Sequence, residues 1–171
     1  GTHLDWLDAV GDDIVPTLTP AGVVGNMPNI PANRINSQFD LGGGSVSVSA
    51  GERSGLRALA LAHRALSVGE LDVAVVGASD LSCHPVHQAA LAQIDDTAAP
   101  PGDAAIVLLL MRLDDAERAG EHIIAVIDCT EEGVGSGASP SGAVDAQLGR
   151  CWAAGDLRNL AAAVLTVSHG A

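Results

Sequence analysis

The chain is predicted to fold as an α/β protein, and three observations predict it. Residues 45–77 read as a strand, a sharp turn, a helix and a second strand. Ala104 to Met111 is an unbroken hydrophobic run of the kind that fills a strand covered on both faces. Leu157 to Ser168 is an apolar helix that Asp156 is placed to cap.

Taken in order, His3 to Val10 carries Leu4, Leu7 and Val10 at helical spacing, and a second brief helix is expected at Ala32 to Gln38. Around them Pro16, Pro20, Pro28 and Pro31 break any longer element. Gly42-Gly43-Gly44 reads as a tight turn; it precedes a strand rather than a helix, so it lacks the amides of a phosphate site. In Ser45 to Ala50, Val46, Val48 and Ala50 alternate with serines as in a half-buried strand. Leu56, Leu59, Ala60, His63 and Leu66 then follow a helical stripe that Gly69 ends. Leu71 to Gly77 is a short apolar strand, so the strand-helix-strand unit is expected to be parallel and right-handed. A helix at Val86 to Gln93, an acidic Pro-rich loop, one helical turn at Asp114 to Gly120 and a strand at Ile123 to Asp128 complete the middle. Residues 131–143 read as Gly/Ser-rich loop.

Composition narrows the function. The 171 residues contain eight arginines, no lysine and 21 acidic residues, for a net charge of −13. Without a primary amine there is no Schiff-base lysine, no pyridoxal-phosphate anchor and no Walker-A loop. That charge repels nucleic acid and anionic membranes, which leaves proteins as the expected macromolecular partners. Trp6, Phe39 and Trp152 are the only aromatics, too few for base- or sugar-stacking platforms. Cys83, Cys129 and Cys151 are odd in number and unpaired in spacing, which favours reduced thiols, and no apolar run approaches a membrane span of ~20 residues. One domain spanning residues 1–171, located in the cytoplasm, is the expectation.

The most informative segment is the turn V-S-A-G-E-R-S-G-L, from Val48 to Leu56. Strand-to-helix turns are where enzymes expose nucleophiles, because the helix N-terminus stabilises developing negative charge. Here Glu52 stands at the tip, a residue type more usual as a helix-dipole partner than as a nucleophile.

Several stretches in one order resemble the β-ketoacyl synthases of the thiolase fold. Residues 29–62, N-I-P-A-N-R-I-N-S-Q-F-D-L-G-G-G-S-V-S-V-S-A-G-E-R-S-G-L-R-A-L-A-L-A, are similar to that family's segment ending V-D-T-A-C-S-S-S-L-x-A-L-x-x-A. G-E-L-D-V-A-V-V-G-A-S, G-D-A-A-I-V-L-L-L-M-R-L-D-D-A-E-R-A-G and L-G-R-C-W-A-A-G-D-L-R-N-L-A-A-A-V-L-T-V-S-H-G continue the resemblance over about two thirds of the chain. It implies a shortened thiolase-like mixed sheet with helices on both faces, and a piece of a larger multidomain synthase of the acyltransferase-containing polyketide or polyunsaturated fatty acid type.

The same resemblance puts Glu52 where the family has its nucleophilic cysteine, Arg150 where it has a catalytic histidine and Asp145 where a lysine precedes that histidine. The segment that would carry the other histidine is missing. A carboxylate is a poor nucleophile toward a thioester and a good leaving group, so acyl-enzyme formation on Glu52 is excluded. Of the family's variants, the turn looks closest to the chain-length factor, an inactive partner of an active synthase. The expected function is therefore a non-catalytic domain without cofactor or metal. It would serve as a homodimerising scaffold among the neighbouring domains of a polyketide or fatty acid synthase. The implied interface is Ser45, Val46, Ser47, Val48 and Ser49 with Leu56 and Leu59, the edge needing a partner because an open strand edge invites aggregation.

Two alternatives stand beside this reading. Glu52, tuned by Arg53 or Arg150, would act as acid or base on a carrier-bound thioester, decarboxylating or dehydrating it, although a malonyl carboxylate would meet like charge there. Or Arg53, Arg57 and Arg64 would dock an acidic acyl carrier protein. Other constellations are bland: Cys83-His84-Pro85-Val86-His87 reads as an exposed loop because Pro85 breaks the helix that would aim both histidines. Ser54 and His63 lie more than two helical turns apart, too far for a hydrolase pair. Asp95-Asp96, Asp114-Asp115 and Glu131-Glu132 read as solvated loops.

Overall fold

The computed structural model describes residues 19–94, 100–127, 144 and 147–168. The helix expected at His3 to Val10, the acidic pairs at 95–96 and 131–132, Cys129 and Asp145 lie outside the described residues. The chain divides into two compact units, residues 1–47 and residues 48–171.

In the first unit, α1 (Pro20–Gly25) starts on Thr19, whose Oγ1 accepts the Gly22 N–H at 3.1 Å, with proline at the first helical position where no N–H is needed. The second helix, α2 (Ile30–Gln38), also has a proline, Pro31, in its first turn, but its N-cap residue Asn29 makes no side-chain cap. The Gly triplet contains a bend at Gly43, whose carbonyl accepts from Asn36 Nδ2 at 2.9 Å.

Residues 45–50 are not a strand, contrary to the alternation read from their sequence. Alternation makes a segment suitable for pairing, but a strand exists only through hydrogen bonds to a neighbour, and the described sheet consists of two other strands. Ser47 instead donates its hydroxyl to the Pro28 carbonyl at 2.6 Å. Ile123 to Ile127 likewise carries no strand pairing.

The second unit is built on a 3-10 turn, Gly51–Arg53, that runs directly into α3 (Ser54–Ser67). Ser54 Oγ joins the two by accepting the Ala50 N–H at 3.0 Å and donating to the Gly51 carbonyl at 2.6 Å. After α3 the chain reverses through Gly69 at φ +76°, a backbone that favours glycine, and Glu70 N–H closes onto the Ala65 carbonyl at 2.9 Å. It continues through β1 (Val73–Leu81), α4 (Pro85–Ile94), β2 (Asp103–Met111), α5 (Leu113–Ala119) and α6 (Gly155–Ser168). Pro85 does not break α4 but begins it, the position where proline costs least.

β1 and β2 form a two-stranded antiparallel sheet, in register from Val73 opposite Met111 to Leu81 opposite Asp103. The parallel strand-helix-strand unit expected over residues 45–77 is therefore absent, because its first strand is unpaired. Ala74, Val76 and Ala78 point inward from β1, where Val76 packs with Leu59 of α3 and the fully buried Leu157 of α6. Ile106, Leu108 and Leu110 of β2 pack against the same cluster. Both long helices thus lie on one face. On the other, Val73, Val75, Val107 and Leu109 are exposed, so β2 is not the doubly covered strand that its hydrophobic run predicted. Arg112, after β2, ties the sheet to α3: its guanidinium donates to the Leu66 and Leu71 carbonyls at 2.9 and 2.7 Å and pairs with Asp72 and Asp115. Among the described residues, no helix is long and apolar enough to cross a membrane.

Candidate functional site

The site is assembled where the turn before α3 meets the start of α6. Gly55, in the first turn of α3, donates its N–H to the Ala153 carbonyl at 3.3 Å, and a Cβ on it would press within 3.2 Å of Leu157. Glycine is what lets these two helix starts approach. Asp80, near the end of β1, anchors the other side of the loop: one carboxylate oxygen accepts the Ala153 N–H at 2.7 Å and the other the Ser82 hydroxyl at 2.5 Å.

Upstream of α6, Pro100–Gly102 runs alongside 149–150 as a short parallel bridge, with Arg150 N–H to the Pro100 carbonyl at 2.7 Å and Gly102 N–H to the Arg150 carbonyl at 2.9 Å. Gly149 holds φ +79°, where a Cβ would also collide with the Pro101–Gly102 backbone. Arg158, buried in α6, fastens the loop from within by donating to the Gly149 carbonyl at 2.5 Å and to Cys151 Sγ at 3.1 Å.

This scaffold points Arg150 at Glu52. Arg150 Nη2 donates to Glu52 Oε1 at 2.6 Å across 98 residues of sequence, and the guanidinium carbon lies 4.0 Å from the centre of the Trp152 ring. The Glu52 and Arg150 side chains are 54% and 34% exposed, so the ion pair contributes about 1 kcal/mol or less to stability. Its importance is which two groups it occupies. Asp156, in the first turn of α6, joins the cluster: burial pushes its carboxyl above the usual range and the Glu52 charge pushes the same way, while Arg53 opposes both.

Chemically, the arrangement presents a carboxylate already bonded to a guanidinium, a group with hydrogen-bond donors and no acceptor to act as a base. Cys151 is buried, and its sulfur faces Arg158 and the Gly149 carbonyl. Ser54 is held by the turn's own backbone, and His63 bonds with Ser67 of the same helix.

The other sequence-predicted residues separate. Arg57 and Arg64 line a groove of about 420 Å³ with Val48, Ala60 and Leu61 on the outer side of α3, and Arg53 is exposed at its start. Leu59 is buried and Leu56 packs against the same core, so neither offers the outward surface expected of a dimer contact; both fall on the inner face of the amphipathic helix. Val46, Ser47 and Ser49 are exposed, Ser45 and Val48 half-buried. Sequence reasoning missed Asp80, Trp152 and Arg158. Trp152 was legible two residues from Arg150, the spacing that sets side chains on one side of an extended segment. Nothing local marks the partners of Asp80 and Arg158. Among the described residues, no group of three His, Cys, Asp or Glu side chains is placed to hold a metal ion.

The chain is similar to known proteins of one family. The family model for the β-ketoacyl synthase N-terminal domain matches residues 11–116. The highly reducing polyketide synthase GPY1 of Gibberella fujikuroi is 34% identical over 152 residues, 80% of this chain and 6% of that protein. The oxazolomycin ketosynthase domain OzmH KS7 of Streptomyces albus JA3453 superposes with a TM-score of 0.53 at 30% identity, over 59% of this chain and 20% of that one. A type II polyketide ketosynthase, solved in complex with its acyl-carrier protein, shares the fold with a TM-score of 0.57 at 20% identity, over 71% of this chain and 37% of that one. The chain spans only these small shares of its relatives. It belongs to the β-ketoacyl synthase family, with the thiolase-like ketosynthase fold of polyketide synthases.

Proposed function

We propose that this is a non-catalytic ketosynthase-derived domain that serves as a dimerising scaffold within a polyketide or fatty acid synthase. The observation that carries the reading is the 2.6 Å ion pair between Glu52 and Arg150. By the sequence resemblance, these residues stand at the family's nucleophile and histidine positions. The place of the thiolate and its base is taken by a carboxylate, a poor nucleophile toward a thioester, bonded to a guanidinium that has no lone pair to act as a base. Relatives that are polyketide synthases support a place among synthase domains. The alternating segment 45–49, exposed at Val46, Ser47 and Ser49 and with no strand partner among the described residues, supports dimerisation by strand pairing; Leu56 and Leu59 are left to the core.

The catalytic half is tested by incubating the chain with malonyl- and β-hydroxyacyl-carrier protein and following both by mass spectrometry. The expected result is no acylation of the domain and no loss of carbon dioxide or water from the thioester. Turnover that disappears in Glu52→Ala would instead make this a Glu52-dependent decarboxylase or dehydratase. Sedimentation tests the scaffold half: a dimer is expected at micromolar concentration, and a monomer there sinks it.

A further inference from the structure

We infer that Cys83 and Cys151 form a redox-active dithiol site, closed into a disulfide by a small disulfide such as oxidised glutathione and reopened by a dithiol. The inference is independent of the scaffold reading and rests on how the loop after β1 meets the loop before α6. The two cysteines are far apart in sequence, and shared partners bring their loops together. Asp80 binds both loops through one carboxylate, accepting from the hydroxyl of Ser82, beside Cys83, and from the N–H of Ala153, two residues past Cys151. Pro101 also meets both. Its carbonyl oxygen accepts from the Cys83 thiol at 3.6 Å, and it forms the parallel bridge with Arg150, the neighbour of Cys151. Gly149 lies so close to that same carbonyl oxygen that a Cβ would stand 2.7 Å from it, and the Gly149 carbonyl is 3.9 Å from Cys151 Sγ. Both sulfurs therefore border one backbone crossing.

The two sulfurs differ in a way that gives each a role. Cys83 is exposed and Cys151 is buried, so a small disulfide meets Cys83 first. Arg158 Nη1 donates to Cys151 Sγ at 3.1 Å, so the charge of an attacking thiolate there forms against a fixed cation. Desolvation first and the Asp103 carboxylate second push the Cys83 thiol up, and Cys151 adds to them, as expected of sulfurs near enough to act on each other. In the first step the Cys83 thiolate attacks one sulfur of glutathione disulfide, breaking that bond and releasing one glutathione thiolate. The Cys151 thiolate then attacks Cys83 Sγ, forming the internal bond and releasing the second. The cysteine pair loses two electrons to the glutathione disulfide, and its two protons end on the two glutathione thiols.

The experiment treats the full 171-residue chain, reduced and folded, with oxidised glutathione and follows it by intact mass and tryptic mapping after alkylation. Because every basic residue is an arginine, trypsin places Cys83 on residues 65–112, Cys129 on 119–150 and Cys151 on 151–158, so each pairing gives its own linked peptide. The expected result is a loss of about 2 Da, the two hydrogens of one disulfide, with 65–112 linked to 151–158 and Cys129 alkylated. A dithiol should restore the starting mass. Cys129→Ser should behave as the unsubstituted chain. Cys83→Ser, at an exposed position and checked for folding by circular dichroism, should leave 151–158 unlinked. The same oxidation in concentrated urea should spread the linkage over all pairings, because the contacts that select this one are gone. A glutathione adduct that stays on Cys83 without closing, a linkage of the folded chain through Cys129, or an unchanged pattern in urea overturns the inference.

Discussion

Asp115 and Asp156 give the chain two carboxyl groups displaced in opposite directions, and their effects on stability differ in sign. The Arg118 and Arg112 guanidinium groups hold Asp115 below the usual carboxylate range. A group whose folded pKa is depressed contributes stability that is fully present above its ordinary pKa and is lost as pH falls through the folded value. The urea midpoint should therefore decline below about pH 4, and Asp115→Asn should flatten that decline while lowering the midpoint at neutral pH. Asp156 is the reverse case, because burial first and the Glu52 charge second raise its carboxyl above 3.8. Its folded form takes up a proton more readily than its unfolded form, so it favours folding increasingly as pH drops through the raised value. NMR titration should place the Asp156 midpoint above 3.8, move it down in Glu52→Gln and move it up in Arg53→Gln. A midpoint that neither variant moves would break the link between the Glu52 turn and the start of α6.

At the scale of elements, packing concentrates on one face of the sheet, and substitutions should register that asymmetry. Leu157 joins α6 to both α3 and β1 with no exposed surface, so Leu157→Ala should cost about 2–5 kcal/mol by denaturant unfolding. Val107→Thr, on the open face, should change stability by no more than about 0.5 kcal/mol. Equal losses at both positions would show that the open face is buried in solution. The helices were legible in the sequence because a helix satisfies its own backbone, and its apolar spacing needs only one surface to pack on: α3 and α6 begin within three residues of the reading. Strands were harder for a physical reason. The apolar runs at 71–77 and 104–111 do form strands, Val73–Leu81 and Asp103–Met111, because each has the other to pair with, but nothing in the alternation of residues 45–50 or in the apolar run at 123–127 reveals whether a partner is present. The antiparallel direction of the one pairing was equally invisible, being set by the path through α4.

For the molecule as a whole, the candidate site was half legible. Family resemblance identified Glu52 and Arg150 separately, but their bond spans 98 residues and depends on Gly55, Asp80 and Gly149 bringing two loops together, which no local pattern encodes. The same one-sided packing that builds the site leaves Val73, Val75, Val107 and Leu109 in water beside two strand edges that no described strand pairs with, a combination that invites association. What opposes it is repulsion from a net charge of −13, and that repulsion vanishes near the isoelectric point of about 4.5. Light scattering should therefore stay low at pH 7.5 and rise as pH approaches 4.5, before the ellipticity of the folded chain falls. Val107→Asp/Leu109→Asp should suppress the rise, by charging the face itself, more than the same two charges placed on the outer side of α5. Scattering that tracks unfolding, or that the sheet-face variant leaves unchanged, would locate the association elsewhere and show the open face to be covered in solution.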